Sequence, residues 1–305
     1  MDLRDAFFQV ISDYAQLDSK ITILTNDMEV FALNSFKKRF PNQFINVGVS
    51  EQNLLNVASG LAYTGKKVLI FGILSFIVNR AYEQLKLNIC GMRLPVILVG
   101  IGPGLSFSFD GPSHHSLTDI SLVRQLPGIK IYEPCDAISA ESVAKNVLEF
   151  TNPTLIRLDK GVFSFKNQKN IKYLDGVIEI KPASRLNLIY SGTFHEYVSL
   201  LNLKLNEKKI EHGIFNIVNI WPVSPLLESI IRDSKEILVV DENTSSGGLF
   251  SIISEMIVLN RLNTKVSCIN LNSDSIFEYG DKDWIRNRNG FADKFEAFER
   301  GLSER

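Results

Sequence analysis

The chain has few cysteines, no excess of one charge and no long hydrophobic run. Its three cysteines are widely spaced and form no Cys-x-x-Cys pair, which argues against disulfides and a zinc site. The formal net charge of −1 argues against a nucleic-acid or membrane-surface protein. The longest apolar run, residues 68–78, is too short to span a bilayer, and the acidic N-terminus is unlike a signal peptide. We therefore expect a soluble, cytoplasmic protein with reduced thiols.

Apolar strands alternate with amphipathic helices along the whole chain. Near-continuous apolar runs such as residues 96–99 are typical of parallel strands covered on both faces. A polar, basic segment without helical periodicity interrupts this alternation, and a shorter α/β pattern follows it. We predict an α/β protein with two domains, each a mostly parallel sheet covered by helices. The first domain takes residues 1–165, a linker takes 166–184, and the second domain takes 185–305.

The predicted elements follow from the hydrophobic periodicity. The strands of the first domain are expected at residues 21–24, 44–47, 68–71, 95–100, 129–132 and 154–157. Those of the second are expected at residues 186–190, 214–218, 236–240 and 266–269. The clearest helices are expected at residues 2–17, 196–207 and 249–259.

One carboxylate, Glu51, stands where a short strand turns into a helix. The surrounding stretch, residues 44–60, has the sequence Phe-Ile-Asn-Val-Gly-Val-Ser-Glu-Gln-Asn-Leu-Leu-Asn-Val-Ala-Ser-Gly. Ligands of open α/β sheets lie at such junctions, beyond the carboxyl ends of the strands. A glutamate in the first turn is also favoured by the helix dipole alone, so its position by itself does not assign a role.

A second stretch, residues 107–120, follows a glycine-rich loop and contains two of the four histidines. Asp110-Gly-Pro is typical of a tight turn, and His114 and His115 come directly after it. A loop histidine is most often solvated or a helix cap. Histidine also titrates near neutral pH, so it can transfer protons or bind substrate hydroxyls.

These two stretches resemble the Val-Gly-x-x-Glu-Gln-Asn and Asp-Gly-Pro-Thr-His signatures of transketolases, with Ser113 in place of threonine. Residues 241–249, Asp-Glu-Asn-Thr-Ser-Ser-Gly-Gly-Leu, are similar to the Glu-Glu-His…Gly-Gly-Leu stretch of that family's C-terminal domain. A Gly-Gly pair opening a helix is alternatively compatible with phosphate binding. The resemblance covers nearly the whole chain. It implies a thiamine diphosphate pyrimidine-binding domain followed by a transketolase C-terminal-like domain.

The resemblance also implies roles for individual residues. Glu51 would bond to N1′ of the aminopyrimidine ring and favour its imino tautomer, and Phe76 would lie under that ring. The implied cofactor contacts are Glu51, Phe76, Arg80 and Tyr82. The implied substrate contacts are Asp110, His114 and Lys160, and the catalytic residues are Glu51 and His114. From the residues alone, Phe76 and Tyr82 are equally compatible with a core, and Arg80 with a surface ion pair to Glu83.

The Gly-Asp-Gly motif with which the family binds the diphosphate and a divalent metal does not occur in this sequence. The resemblance therefore implies the C-terminal subunit of a split enzyme. An N-terminal transketolase subunit would hold the diphosphate and Mg²⁺ or Ca²⁺, and this chain would hold no metal. We expect an α2β2 heterotetramer of the two polypeptides.

The implied reaction is transfer of a two-carbon ketol unit from a ketose to an aldose. No cation occurs in the stretch 101–104, where the family has a phosphate-reaching histidine, and Lys160 takes the place of an arginine. An unusual sugar is therefore plausible as substrate. The alternatives are a beta-type subunit of a 2-oxoacid dehydrogenase and a non-catalytic scaffolding paralogue. The Asp-Gly-Pro-Ser-His stretch favours the transketolase branch over the dehydrogenase.

Overall fold

The computed structural model describes residues 1–28, 31–165 and 170–303. The chain divides into two compact units, one of residues 1–103 and 122–164, the other of residues 104–121 and 165–305. Both units are α/β, which confirms the predicted fold class. Among the described residues, no helix combines the length and the apolar character that a membrane span requires.

The first unit is built on a parallel sheet. Its strands lie in the order β5-β6-β4-β3-β1-β2, and every neighbouring pair among them is parallel. The strands are β1 (Ile21–Thr25), β2 (Phe44–Asn46), β3 (Lys67–Ile73), β4 (Ile97–Ile101), β5 (Lys130–Tyr132) and β6 (Thr154–Leu158). The helices are α1 (Leu3–Leu17), α2 (Phe31–Arg39), α3 (Glu51–Tyr63), α4 (Tyr82–Gln84), α5 (Asp119–Val123, which crosses into this unit) and α6 (Ala137–Val147). A 3₁₀-helix (Pro41–Gln43) and two π-helices (Phe76–Arg80 and Leu85–Cys90) complete the unit.

Burial explains these elements. The central strands β1, β4 and β6 are buried at every position, as a sheet covered on both faces requires. Helix α1 packs one apolar face inward, with Leu3, Phe7 and Ile11 fully buried. Its first turn is capped by the Asp2 carboxylate, which accepts a hydrogen bond from the Arg4 amide.

The order of the strands creates one crevice at the carboxyl edge of this sheet. The chain leaves β1 toward β2 on one side, and it leaves the neighbouring strand β3 toward β4 on the other. Ligands of open α/β sheets bind where the connections diverge in this way. The residues that follow β1 and β3 therefore lie at the expected ligand site.

The second unit has a sheet in the order β13-β12-β9-β10-β8-β7, parallel from β13 to β10 and antiparallel beyond. Its strands are β7 (Lys172–Leu174), β8 (Val177–Lys181), β9 (Leu186–Ser191), β10 (Gly213–Ile217), β11 (Asn219–Trp221), β12 (Glu236–Thr244) and β13 (Lys265–Leu271). Its helices are α7 (His195–Glu207), α8 (Pro225–Asp233), α9 (Leu249–Leu259), α10 (Lys282–Arg288) and α11 (Phe291–Ser303), with a 3₁₀-helix at Ser273–Phe277.

The segment expected to be a linker, residues 166–184, contains β7 and β8 where the structure describes it. Strand β8 pairs with β10, and Val177 and Ile178 are buried against the second unit. The basic residues that suggested a linker lie on exposed or half-buried positions around these two apolar side chains. Part of this segment is therefore an edge of the second sheet. Residues 166–169 lie outside the described part of the chain.

Candidate functional site

Glu51 is the first residue of α3, and its carboxylate lies inside the first unit. The chain reaches it from β2 through a turn in which Gly48 has φ +75°, a conformation that favours glycine. The Glu51 side chain is only 5% exposed. Its Oε1 accepts a hydrogen bond from Asn26 Nδ2 at 3.0 Å, and its Oε2 accepts one from Arg80 Nη1 at 3.1 Å.

Asn26 directly follows β1 and is buried beside Glu51. Its Oδ1 atom is buried and has no hydrogen-bond partner among the described residues. A Cβ atom at Gly72, in β3, would lie 3.1 Å from this oxygen and 2.7 Å from Ile77 Cγ2. The glycine thus leaves room around an acceptor that the fold itself does not use. A buried acceptor without a partner is costly, and such atoms point to a ligand or an ordered water.

The π-helix Phe76–Arg80 supplies an aromatic face and a cation beside Glu51. The Arg80 guanidinium lies over the Phe76 ring, 4.1 Å from its centroid, while the same group forms the ion pair with Glu51. The Arg80 side chain is 49% exposed. One planar group therefore covers both the carboxylate and the aromatic ring. π-helical turns often occur at functional sites.

Tyr82 lies in the same segment, half-buried, and its hydroxyl donates a hydrogen bond to the Leu122 carbonyl at 3.1 Å. The predicted cofactor contacts Glu51, Phe76 and Arg80 are thus brought together by direct contacts. For Tyr82, the described contact is with the backbone of the first unit.

The loop with Asp110 and His114 belongs to the second unit. The Gly111 carbonyl accepts hydrogen bonds from the amides of His114 (2.9 Å) and His115 (3.2 Å), which forms the predicted tight turn. Gly111 has φ +78°, and a Cβ atom there would lie 3.2 Å from Tyr279 Cβ. Asp110 is exposed at the tip of the loop.

The two adjacent histidines lie in different environments. His114 is half-buried, its Nδ1 is hydrogen-bonded to Ser113 Oγ at 2.9 Å, and its ring meets the edge of Phe107. His115 is buried, and this burial lowers the pKa of its ring although the backbone of Ser108 and Ile276 acts in the opposite direction. His115 is therefore neutral at pH 7 and packs within the unit. His114 is the histidine that a substrate can reach.

Lys160 lies beyond the carboxyl end of β6 and is exposed. The nearby Arg157 points into the first unit instead, where it forms a buried ion pair with Glu133. Because that arginine is engaged in the interior, Lys160 is the cation that this strand end presents to solvent. The described residues contain no group of three or more His, Cys, Asp or Glu side chains that could hold a metal ion.

The Gly-Gly pair that opens α9 does not have the features of a phosphate site. Asp241 Oδ2 accepts a hydrogen bond from the Leu249 amide at 3.0 Å, so a carboxylate already caps this helix. A Cβ atom at Gly248 would lie 2.7 Å from the same oxygen. A negative charge at this position opposes the binding of a phosphate, and the alternative expected from the glycines is therefore wrong.

Comparison with known proteins decides the family. Residues 1–164 match the family described as transketolase, pyrimidine binding domain. This chain belongs to the transketolase family. It is 30% identical to one of the subunits named apulose-4-phosphate transketolase, from Phocaeicola vulgatus, over 92% of this chain and 94% of that protein.

Two further proteins extend the comparison of this transketolase relative. It is 28% identical to a putative transketolase C-terminal section of Methanocaldococcus jannaschii, over 88% of this chain and 86% of that one. Its fold matches a solved structure titled "Split gene transketolase, inactive beta4 tetramer", with a TM-score of 0.86, 23% identity and 99% coverage of both chains. The two-domain α/β fold of the whole chain is therefore that of the transketolase family.

Sequence reasoning missed Asn26 as a member of the Glu51 cluster. One signal was available, since a polar residue follows an apolar strand at the edge where ligands bind. Nothing in the sequence distinguishes that asparagine from one in an ordinary turn, because its partner Glu51 is 25 residues away.

Proposed function

We propose that this chain is the C-terminal subunit of a split transketolase-like enzyme that depends on thiamine diphosphate. It would transfer a two-carbon ketol unit from a ketose donor to an aldose acceptor. The observation that carries the proposal is the cluster of Glu51, Asn26, Phe76 and Arg80 at the crevice of the first sheet. Membership of the transketolase family supports this reaction class.

The residues of this cluster fit the aminopyrimidine ring of thiamine diphosphate. Such a ring is planar, carries nitrogen acceptors and an amino donor, and needs an aromatic face. Phe76 offers the face, the Glu51 carboxyl offers a bond to a ring nitrogen, and Asn26 Oδ1 is an acceptor beside it that no described residue uses. The Arg80 guanidinium, itself planar and rich in N–H groups, already contacts both Glu51 and Phe76.

When bound, the cofactor supplies the carbon centre that accepts the two-carbon unit. The chain's own residues bind, orient and polarise. Glu51 Oε would hold a proton at the ring nitrogen N1′, shielded from water by its burial. Asn26 would fix the other carboxylate oxygen of Glu51. His114, accessible in its loop, would bind a donor hydroxyl or transfer a proton, and Asp110 would bind a second hydroxyl.

We propose that an N-terminal transketolase subunit holds the diphosphate and the divalent metal, Mg²⁺ or Ca²⁺. The relative from Phocaeicola vulgatus is named as one subunit of a transketolase and matches this chain nearly end to end, which supports a two-polypeptide enzyme. The solved structure of similar fold is titled an inactive β4 tetramer, and we infer that this chain without its partner is likewise inactive. The expected active assembly is an α2β2 heterotetramer.

The substrate is proposed to be a sugar that is held only weakly through a phosphate. The stretch 101–104 carries no cation, and its amide at Gly102 donates to the Leu158 carbonyl at 3.0 Å. Arg157 is engaged with Glu133, which leaves the exposed Lys160 as the candidate phosphate contact. Lysine binds phosphate as a point charge without the bidentate geometry of arginine.

Reconstitution tests the proposal. The chain would be mixed with a polypeptide that carries the Gly-Asp-Gly motif, thiamine diphosphate and Mg²⁺, and ketol transfer between sugars would be followed. We expect transfer only when both polypeptides are present, and calorimetric titration should show tight cofactor binding only to the mixture. Micromolar cofactor binding to the isolated chain would overturn the split-enzyme assignment.

The substrate proposal has its own test in the same mixture. Charge-assisted bonds to a phosphate contribute about 1.5–3 kcal/mol each, so a weakened site should cost selectivity. We expect the specificity constants for a pentulose 5-phosphate and the free pentulose to differ by less than about ten-thousand-fold. A larger preference would show that other residues, including those of the partner, restore a full phosphate site.

A further inference from the structure

The stretch 241–249, which the proposed reaction does not use, contacts both ends of the His114 loop within the second unit. The loop of residues 104–121 is closed at its base by a pair of hydrogen bonds. The Gly104 amide donates to the Ser116 carbonyl at 3.1 Å, and the Ser116 amide donates to the Gly104 carbonyl at 3.2 Å. The loop is thus a closed unit that needs an anchor.

Glu242, in β12, is the anchor at the beginning of the loop. Its Oε2 accepts a hydrogen bond from the Leu105 amide at 3.1 Å and lies 3.4 Å from Lys282 Nζ. Its Oε1 accepts two bonds from Arg286, from Nε at 2.9 Å and from Nη2 at 2.6 Å. The Glu242 side chain is 11% exposed. Both carboxylate oxygens are therefore engaged, one with the loop and one with α10.

The end of the loop is fastened to the same stretch. The Thr244 amide donates a hydrogen bond to the Leu117 carbonyl at 3.2 Å. The backbone at Gly247 approaches Ser121 so closely that a Cβ atom there would lie 2.1 Å from Ser121 Cβ. Two points of attachment, at Leu105 and at residues 117–121, fix the loop on either side of His114.

A glycine at the first contact permits this geometry. Gly104 has φ +60°, and a Cβ atom there would lie 2.3 Å from Glu242 Oε2. Any side chain at this position would displace the carboxylate from the Leu105 amide. The close contact therefore depends on Glu242 and on Gly104 together.

We propose that Glu242 is a positioning residue that holds the Asp110–His114 loop in its working conformation. The inference rests on the proposed role of His114 in substrate binding. Glu242 does not touch the substrate. It fixes the Leu105 amide from a strand of the second unit, and Arg286 and Lys282 hold the carboxylate in place. The second unit thereby acts on substrate binding through this one contact.

Hydrogen exchange of backbone amides tests the proposal in the full chain assembled with its partner. Glu242→Gln replaces a charged acceptor by a neutral one. We expect the amides of Leu105 and Ser116 to exchange roughly ten- to hundredfold faster, because a bond to a charged group is worth about 1.5–3 kcal/mol. Asp283→Asn is the matched control, since Asp283 also binds Arg286 but lies outside the loop contact. It should change these rates by less than about twofold.

Gly104→Ala is an independent variant, because its methyl group pushes the carboxylate away without removing a charge. It should accelerate the same amides. In both loop variants the ring resonances of His114 should shift, and KM for the donor should rise more than kcat falls. Unchanged exchange in Glu242→Gln and Gly104→Ala would overturn the proposal, even in an active enzyme. Absence of ketol transfer in the wild-type mixture would instead contradict the proposed function, and the exchange result would still test the loop contact.

Discussion

Two buried glutamates of this protein have nearly the same partners and opposite surroundings. Glu51 pairs with Arg80, which lies over the Phe76 ring at 4.1 Å. Glu242 pairs with Arg286, which lies over the Phe194 ring at 4.5 Å. Each carboxylate thus holds an arginine stacked on a phenylalanine.

The difference lies in what remains unused. Around Glu242 both oxygens are engaged, and the Arg286 side chain is 16% exposed. Around Glu51 the Arg80 side chain is 49% exposed, and the neighbouring Asn26 Oδ1 has no partner among the described residues. A saturated, enclosed ion pair holds structure together. An open pair beside an unused acceptor is a place where a ligand can enter.

The largest expected effect is on Glu51. Glu51→Gln keeps the size and the hydrogen bonds of the side chain but removes the acid–base function. A positioned acid–base group is worth roughly a hundred- to ten-thousand-fold, so kcat of the reconstituted enzyme should fall in that range. Glu83→Gln, an exposed glutamate in α4, is the control and should keep the wild-type rate. A normal kcat in Glu51→Gln would place Glu51 outside the chemistry.

The two arginines should differ in stability. Arg286→Met leaves the enclosed Glu242 with a single cation, Lys282, and should cost about 3 kcal/mol of the free energy of unfolding. Arg80→Met removes a half-exposed partner, and its cost should stay below about 1 kcal/mol. Urea unfolding of the two variants measures both values. Equal losses would show that the Glu51 pair is as structural as the Glu242 pair.

Much of the fold followed from hydrophobic periodicity. The ten predicted strands are present with ends within a few residues, and helix α9 has the predicted bounds, Leu249–Leu259. Strands β7, β8 and β11 were missed, because short strands carry too few apolar residues to show a period. The π-helix at Phe76–Arg80 was also missed, since its spacing does not differ visibly from that of an α-helix.

The candidate site was predictable only in part. Glu51 and His114 were found through short motifs, in which every residue is a neighbour in sequence. The partners Asn26 and Glu242 act across 25 and 137 residues of chain, at Glu51 and at Leu105. Contacts over such separations depend on strand order and loop packing, which local patterns do not encode. The roles assigned to the site residues stay predictions until the variants are measured.

A smaller effect is expected for Asn26. Asn26→Ala frees Glu51 Oε1 and removes the unused acceptor beside it, without touching a charge. Loss of one bond to a charged group should weaken cofactor binding to the assembled enzyme by about tenfold. Asn56→Ala, an exposed asparagine in the same helix α3 as Glu51, should bind as the wild type does. Calorimetric titration compares them, and equal affinities would leave Asn26 a structural residue.

The smallest expected effect is on pH dependence. Burial tends to raise the pKa of Glu242, but Lys282 and Arg286 outweigh it and hold this pKa below its ordinary value of 4.5. The carboxylate therefore stabilises the fold above pH 4.5, and this contribution is lost as the pH falls through the lower folded pKa. Glu242→Gln should flatten the decline of Tm on acidification in that range. Asp283→Asn should leave the wild-type slope, and a Glu242→Gln slope as steep as the wild type would contradict the account.

Deuterium exchange at C2 of bound thiamine diphosphate tests the comparison of the two glutamates most directly, because it needs no knowledge of the sugar substrate. It would be measured in the reconstituted complex for the wild type, Glu51→Gln and Glu242→Gln. The account predicts that exchange slows roughly a hundred- to ten-thousand-fold in Glu51→Gln and keeps the wild-type rate in Glu242→Gln. Wild-type exchange in Glu51→Gln, or an equal slowing in both variants, would contradict it.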